Sequence, residues 1–271
     1  MILHGPRQQP PTLWLGTSSV LAEIGRLNCI ALEIGIESGS NSVLRRFNKG
    51  TSVKQNEEAI ALLDQAGIAL DLDYIMFDPE TTIEELRENI DFLHRNELTG
   101  RFPHEHLFNA LKLYPGTPAR QRYVDMLSLD ANATESLIPP FTDPRVETVF
   151  RIVIAFWQRV QPIVSICLLR LDRKVHAGLG QAEPLSYLDA REVQRWGVLA
   201  VRLRHIPDRF FEEVIAGFTD GRITQDLPFE RLERMASLEA LARYMKEASE
   251  YLGHPLLFKH RISRTNYYLQ R

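Results

Sequence analysis

The chain has 271 residues, enough for one large α/β domain or two smaller ones with a sizeable buried core. With 44% hydrophobic and 25% charged residues it has the composition of an ordinary globular protein, and a net charge of −3 gives no reason to expect nucleic acid or an anionic membrane as partner. Met1–Thr17 lacks the charged start and apolar core that export needs, and two distant cysteines, Cys29 and Cys167, suit a reducing cytoplasm, the expected location.

In chain order, Met1–Pro11 is proline-rich and expected to be extended. Thr12–Gly16 reads as a short strand and Ser18–Leu27 as a helix with Val20, Leu21, Ile24 and Leu27 on one face. Ile30–Ile36 is an apolar run broken only by Glu33, which predicts a strand buried on both faces, as in a parallel sheet covered by helices. It ends in Glu37-Ser38-Gly39-Ser40, a carboxylate and two hydroxyls at the point where ligands bind in α/β folds. A plain strand-to-helix turn explains the same residues.

Asn41–Phe47 reads as one or two helical turns, broken by Asn48-Lys49-Gly50, where glycine supplies a positive-φ turn. Ser52–Gly67 is a helix with a Ser52/Gln55 capping box and a glycine stop. Ala69–Phe77 is the next strand, ending in Asp78-Pro79-Glu80. Thr81 and Glu84 form a second capping box before a helix with Ile83, Leu86, Ile90 and Leu93 at helical spacing. A third strand is expected over His106–Leu113, ending in Tyr114-Pro115-Gly116-Thr117, with a helix over Arg120–Met126. Strands alternating with helices imply a parallel sheet with right-handed crossovers, so the three strand ends share one edge. An acid with hydroxyls, an acid with proline, and an aromatic with proline and glycine could there hold a polar sugar and a flat ring.

From Ser128 the pattern changes. Ser128–Pro140 reads as a linker and Arg145–Gln161 as a long helix that Pro162 kinks or restarts, continuing through Leu171. Lys174–Pro184 reads as a loop. Asp189–Trp196, Asp208–Phe218, Phe229–Ala236 and Leu238–Leu252 read as helices, the last ended by Gly253-His254-Pro255. The expected division is 1–127 and 128–271, the second part mainly helical. The most apolar stretch, Val146–Leu171, carries Arg151, Arg159, Gln161, Pro162 and Arg170, too polar for a membrane span.

LEIGIESGSNSVLRRFNKG, the AIALLDQAGI helix, YIMFDPETTIEEL and LYPGTP together resemble the later half of a radical S-adenosylmethionine enzyme, in the group carrying a cobalamin-binding domain. The resemblance runs from about Leu13 to Arg122. It implies an α/β fold holding the later strands of a partial parallel β/α barrel, with S-adenosylmethionine bound across the strand ends beside a [4Fe–4S] cluster. One-electron reduction of the cofactor yields a 5′-deoxyadenosyl radical in that family. Carried over by position, Glu37 and Ser38 would contact the ribose and aminocarboxylate. Asp78 would lie near adenine and substrate, and Leu113, Tyr114 and Pro115 would pack against adenine. Asn48-Lys49-Gly50, also a family feature, reads more readily as a structural turn.

The family's C-x-x-x-C-x-x-C motif is not in this chain, which has only Cys29 and Cys167, and both read as structural cysteines. His104 and His106, expected at the opposite sheet edge, are poor metal ligands, and no cobalamin-binding residues are in view. No Ser/His/Asp or Cys/His grouping assigns a catalytic residue. The implied function is a truncated or degenerate relative that binds S-adenosylmethionine without being self-sufficient for radical chemistry. The alternative is a non-catalytic nucleotide-binding or protein-interaction scaffold on the same fold. The expected partners are a small-molecule substrate of unknown identity and a missing N-terminal half or partner chain covering an open sheet edge.

Overall fold

The computed structural model describes residues 18–27, 29–100, 104–127, 140–179, 190–224 and 235–252. The expectations for Met1–Pro11, Thr12–Gly16, most of the linker, the later part of the 174–184 loop, the Phe229 helix up to residue 234 and the Gly253 stop fall outside these residues. The chain divides into two compact units, Met1–Leu98 with Glu105–Glu147, and Thr99–His104 with Thr148–Arg271.

The first unit is built on two parallel strands, β1 (Ala31–Glu37) and β2 (Ala69–Tyr74), with Glu33 opposite Asp71 and Gly35 opposite Asp73. Helix α1 (Ser18–Arg26) precedes β1. Two helices, α2 (Asn41–Arg46) and α3 (Val53–Ala66), connect β1 to β2, and α4 (Ile83–Arg95) follows β2. Neither strand is buried on both faces, contrary to the expectation from the apolar run. Ile36, Leu70 and Tyr74 are buried, whereas Ala31, Glu33, Ala69, Asp71 and Asp73 are exposed and Ile30 is 82% exposed. The strands alternate with period two: Leu32, Ile34 and Ile36 share one face with Leu70, Leu72 and Tyr74, and the acids take the other. Among the described residues β1 pairs only with β2.

The third strand does not form as expected. Glu105–Leu107 is a 3-10 turn, and both Phe108 N and Asn109 N donate to Glu105 O, so the chain coils where a ladder would have begun. Among the described residues its pairing is the parallel bridge Phe77 to Ala110, with Met76 N and Phe77 N donating to Asn109 O and Leu111 N donating to Phe77 O. This short segment still runs beside the chain leaving β2, in the direction of the strands.

Local sequence explains the helices. Ser52 and Gln55 close a capping box on α3, and Gly67 ends it at φ 68°. On α4 the box is Thr82 with Glu85, one residue later than Thr81/Glu84, because Thr81 Oγ1 is engaged by Asp78. Ile83, Leu86, Ile90 and Leu93 are buried at the expected spacing. Helix α5 is Pro118–Leu127.

Helix α6 runs unbroken from Pro144 to Leu179, past the expected restart at Pro162 and into the expected loop. Its residues Pro144–Glu147 belong to the first unit and the rest to the second. The second unit continues with α7 (Ala190–Arg204), α8 (Ile206–Thr219) and α9 (Ala236–Leu252). Its core includes Ile152, Val153, Leu203, Phe211, Val214, Leu241 and Met245, with Phe156 stacked on Phe210 at 3.9 Å. No helix among the described residues is long and apolar enough to cross a membrane.

Candidate functional site

The parallel arrangement brings the chain out of the sheet at one end in three places: after Glu37, after Phe77 and after Leu111. At the first, β1 ends in a three-residue turn. Ser38 N donates to Ile36 O at 2.8 Å around Glu37, whose φ is 64°. This positive-φ form of the γ-turn is rare and strained for a residue with a side chain. The pairing register slips at the same point, Gly35 opposite Asp73 and Glu37 opposite Tyr74, so a bulge re-aims the Glu37 side chain. Ile75 N donates to Glu37 O and Asn56 Nδ2 donates to Ile36 O, which hold the turn in place.

Glu37 is half-buried. Lys49 Nζ donates to its Oε1 at 2.6 Å, and no described residue bonds Oε2. A Cβ at Gly35 would lie 2.7 Å from that Oε1 and 2.9 Å from Lys49 Nζ, so the ion pair folds over bare backbone.

Ser38 points inward. Its Oγ donates to Asn89 Oδ1 at 2.7 Å, and Gly39 N donates to Asn89 Oδ1 and to Tyr74 Oη at 2.8 Å each. Burial pushes the Tyr74 phenol up, so it stays a neutral hydroxyl. Gly39 itself is pressed against α4: a Cβ there would sit 2.1 Å from Phe92 Cβ.

At the second strand end Asp78 is buried with its carboxylate fully engaged. Arg46 Nε and Nη2 donate to its two oxygens at 3.0 and 2.7 Å, Thr81 Oγ1 donates to Oδ2, and Glu80 N donates to Oδ1. The same guanidinium donates from Nη1 and Nη2 to Glu85 at 3.0 and 2.9 Å, and Ser42 Oγ donates to Glu85 Oε1 at 2.6 Å. Burial alone would disfavour charge on Arg46, but Glu85 and Asp78 reverse this and hold it protonated. Burial likewise pushes Glu85 up, and the Arg46 and Ser42 contacts outweigh it, leaving Glu85 below its ordinary value. Thr142 N and Oγ1 donate to Pro79 O, and Phe141 packs on Phe77.

At the third exit, Tyr114-Pro115-Gly116-Thr117 is a turn with Gly116 at φ 78° and Thr117 N and Oγ1 both donating to Tyr114 O. Leu113 is fully buried and its carbonyl accepts from Arg120 Nη1, whereas Tyr114 is 54% exposed and Pro115 exposed. Of the six residues singled out from the sequence, Glu37, Tyr114 and Pro115 thus retain surface for a ligand. Ser38, Asp78 and Leu113 are turned into the structure and hold the loops. Lys49, read from the sequence as part of a turn, bonds the candidate carboxylate directly. A glycine-flanked lysine after a short helix was the only local signal for it.

A separate cleft of about 360 Å³ lies over α2 and α4, lined in part by Asn41, Ser42, Arg45, Glu88, Asp91 and Arg95. It contains none of the six residues and mixes both charges.

Among the described residues Glu37 Oε2 has no hydrogen-bond partner, and the Tyr114 ring is exposed. A metal cluster is not fitted: no group of three or more His, Cys, Asp or Glu side chains among the described residues is placed to hold a metal ion. Cys29 is half-buried with Sγ donating to Ala31 O. His104 Nε2 lies 2.6 Å from Arg204 O in the second unit, and His106 is buried in the 3-10 turn of the first.

No family model matches the sequence. The chain is similar to the 4′-phospho-dehydrooxetanocin synthase of Priestia megaterium, 40% identical over 85 residues, 29% of this chain and 11% of that protein. It is also similar to bacteriochlorophyllide d C-12(1)-methyltransferase of Chlorobaculum tepidum, 32% identical over 95 residues, 35% of this chain and 20% of that one. In fold it matches the cobalamin-dependent S-adenosylmethionine radical enzyme OxsB with aqua-cobalamin and S-adenosylmethionine bound. That match has a TM-score of 0.59 at 16% identity and covers 87% of this chain and 40% of the other. The apo form of the same enzyme gives 0.56 at 17% identity, covering 82% and 37%. The chain therefore spans less than half the length of each. The resemblance to cobalamin-associated radical S-adenosylmethionine enzymes, read from the strand-end motifs, is borne out.

Proposed function

We propose that this chain, which shares fold and strand-end motifs with cobalamin-dependent S-adenosylmethionine radical enzymes, forms the later part of a partial β/α barrel and binds S-adenosylmethionine at its strand ends. The observation that carries the reading is Glu37, held in a strained turn with one carboxylate oxygen bonded to Lys49 and the other without a partner among the described residues. A carboxylate oxygen accepts hydroxyl hydrogens, which is what a ribose offers. Backbone strain of this kind is maintained where the surrounding structure over-determines it, often at ligand sites. Tyr114, exposed at the third exit of the same sheet end, supplies a flat surface suited to adenine.

In the related enzymes S-adenosylmethionine with an iron–sulfur cluster would supply radical chemistry. In this chain the residues bind and orient the adenosyl group only, since two cysteines at positions 29 and 167 do not make a cluster site. The remainder of the barrel, and with it the cluster, would come from a further segment or a partner chain added beside β1. Among the described residues β1 pairs on one side only, and the chain covers 40% of the structural relative; both support this. The open acidic strand face gives the scaffold alternative its footing, but a scaffold needs no free, strained carboxylate at the strand end.

Calorimetry with S-adenosylmethionine tests the binding reading. Binding by the intact chain, weakened at least tenfold by Glu37→Ala, is the expected result. Binding unchanged in that variant, or absent from the wild type, overturns it. Stoichiometric cluster and 5′-deoxyadenosine formation by the chain alone after anaerobic reconstitution would contradict the division of labour.

A further inference from the structure

We propose that Lys49 is a positioning residue for Glu37, fixing Oε1 over the bare backbone of Gly35 so that Oε2 is presented to the ribose hydroxyls of the ligand. The inference rests on the reading of Glu37 as the ribose acceptor and adds to it the device that sets the carboxylate.

Three observations support it independently of any ligand. The contact is short, 2.6 Å from ammonium to carboxylate, in a partly buried setting where a charged hydrogen bond is strengthened. The backbone is bent out of its ordinary range on both sides of the pair. Glu37 has φ 64°, and Lys49 is flanked by Asn48 at 51° and Gly50 at 73°, the reversal that turns its side chain back toward the end of β1. Lys49 N is itself anchored to Leu44 O of α2. The floor is made by the missing side chain of Gly35, whose Cβ would take the space of both charged ends. A glutamate on a flexible stem would otherwise sample several rotamers, and holding it in one lowers the ordering cost of binding.

An ammonium in this place could instead touch the aminocarboxylate of S-adenosylmethionine, and the two roles separate experimentally. 5′-Methylthioadenosine keeps the adenine and ribose but has no aminocarboxylate. If Lys49 acts through Glu37, Lys49→Met weakens both ligands by about tenfold each. Lys49→Arg, which keeps the charge, restores binding to within about threefold of wild type. Gly35→Ala, which displaces the pair without removing either charge, weakens both ligands similarly. Without ligand, the wild-type Lys49 ammonium should give a persistent ¹⁵N–¹H resonance that Glu37→Gln abolishes.

Unchanged 5′-methylthioadenosine binding by Lys49→Met, beside weakened S-adenosylmethionine binding, overturns the positioning role in favour of direct contact. Unchanged binding of both overturns any role. A wild type that binds neither ligand while its Lys49 resonance persists refutes the ribose reading of Glu37, and the positioning role with it, while leaving the ion pair established.

Discussion

Replacing Arg46 with methionine keeps most of the side-chain volume and removes a guanidinium that makes four hydrogen bonds, two to Asp78 and two to Glu85. The Asp78 side chain is 1% exposed and that of Glu85 is 9% exposed, so water cannot replace what is lost. Removing one partner of a buried ion pair costs about 3–5 kcal/mol, because the remaining charge stays buried. Here two carboxylates are stranded, but Asp78 keeps Thr81 and the Glu80 amide, and Glu85 keeps Ser42 and the Thr82 amide. We therefore expect Arg46→Met to cost the first unit about 3–5 kcal/mol, a large part of the ~5–15 kcal/mol of a typical domain. Neutralising the stranded acids with Asp78→Asn and Glu85→Gln in the same chain should recover much of the loss, the non-additivity expected of one network. With two compact units, a single unfolding midpoint is not well defined. Native-state hydrogen exchange of the β1 and β2 amides in graded urea reads the first unit directly. A loss below about 1 kcal/mol, or full additivity of the three substitutions, would refute the reasoning.

Gly39→Ala should cost about 3 kcal/mol or more by the same exchange measurement, since its Cβ would meet Phe92 Cβ at 2.1 Å on a packed helix. Gly67→Ala, with open space but φ 68°, should cost only about 1 kcal/mol. Thr82→Ala should lose about 1 kcal/mol through its cap on α4, read from the exchange of amides in that helix's first turn. Glu85 has a folded pKa below its ordinary 4.5, so its stabilisation is complete above pH 4.5 and is lost as the pH falls through the lower folded value. Acid unfolding should accordingly show a smaller stability change below pH 4.5 in Glu85→Gln than in wild type.

The helices of the first unit were legible in the sequence because caps and apolar spacing are local. Ser52/Gln55 and the Ile83–Leu93 stripe stand as read. The second capping box slipped by one residue because Thr81 and Thr82 are both good caps, and the bond of Thr81 to Asp78 three residues earlier decides between them. The strands carried a period-two signal in Leu32-Glu33-Ile34 and Leu70-Asp71-Leu72-Asp73. Reading it as one continuous apolar run hid the exposed acidic face. The third strand failed because a 3-10 turn claims its first backbone donors, a choice that propensity does not reveal. That Glu37 and Tyr114 lie where the chain leaves the parallel segments was readable from their place in the sequence. The engagement of Ser38 by Asn89 and of Asp78 by Arg46 spans 51 and 32 residues, and nothing local announces it.

The central claim is that the ends of these parallel segments form one surface for an adenosyl ligand. Backbone amide shifts of the labelled chain, titrated with S-adenosylmethionine, test it most directly. The account predicts saturable shifts at Gly35, Glu37, Lys49 and Tyr114. Shifts confined to the α2/α4 cleft around Arg45, Asp91 and Arg95, or no shifts at all, would contradict it.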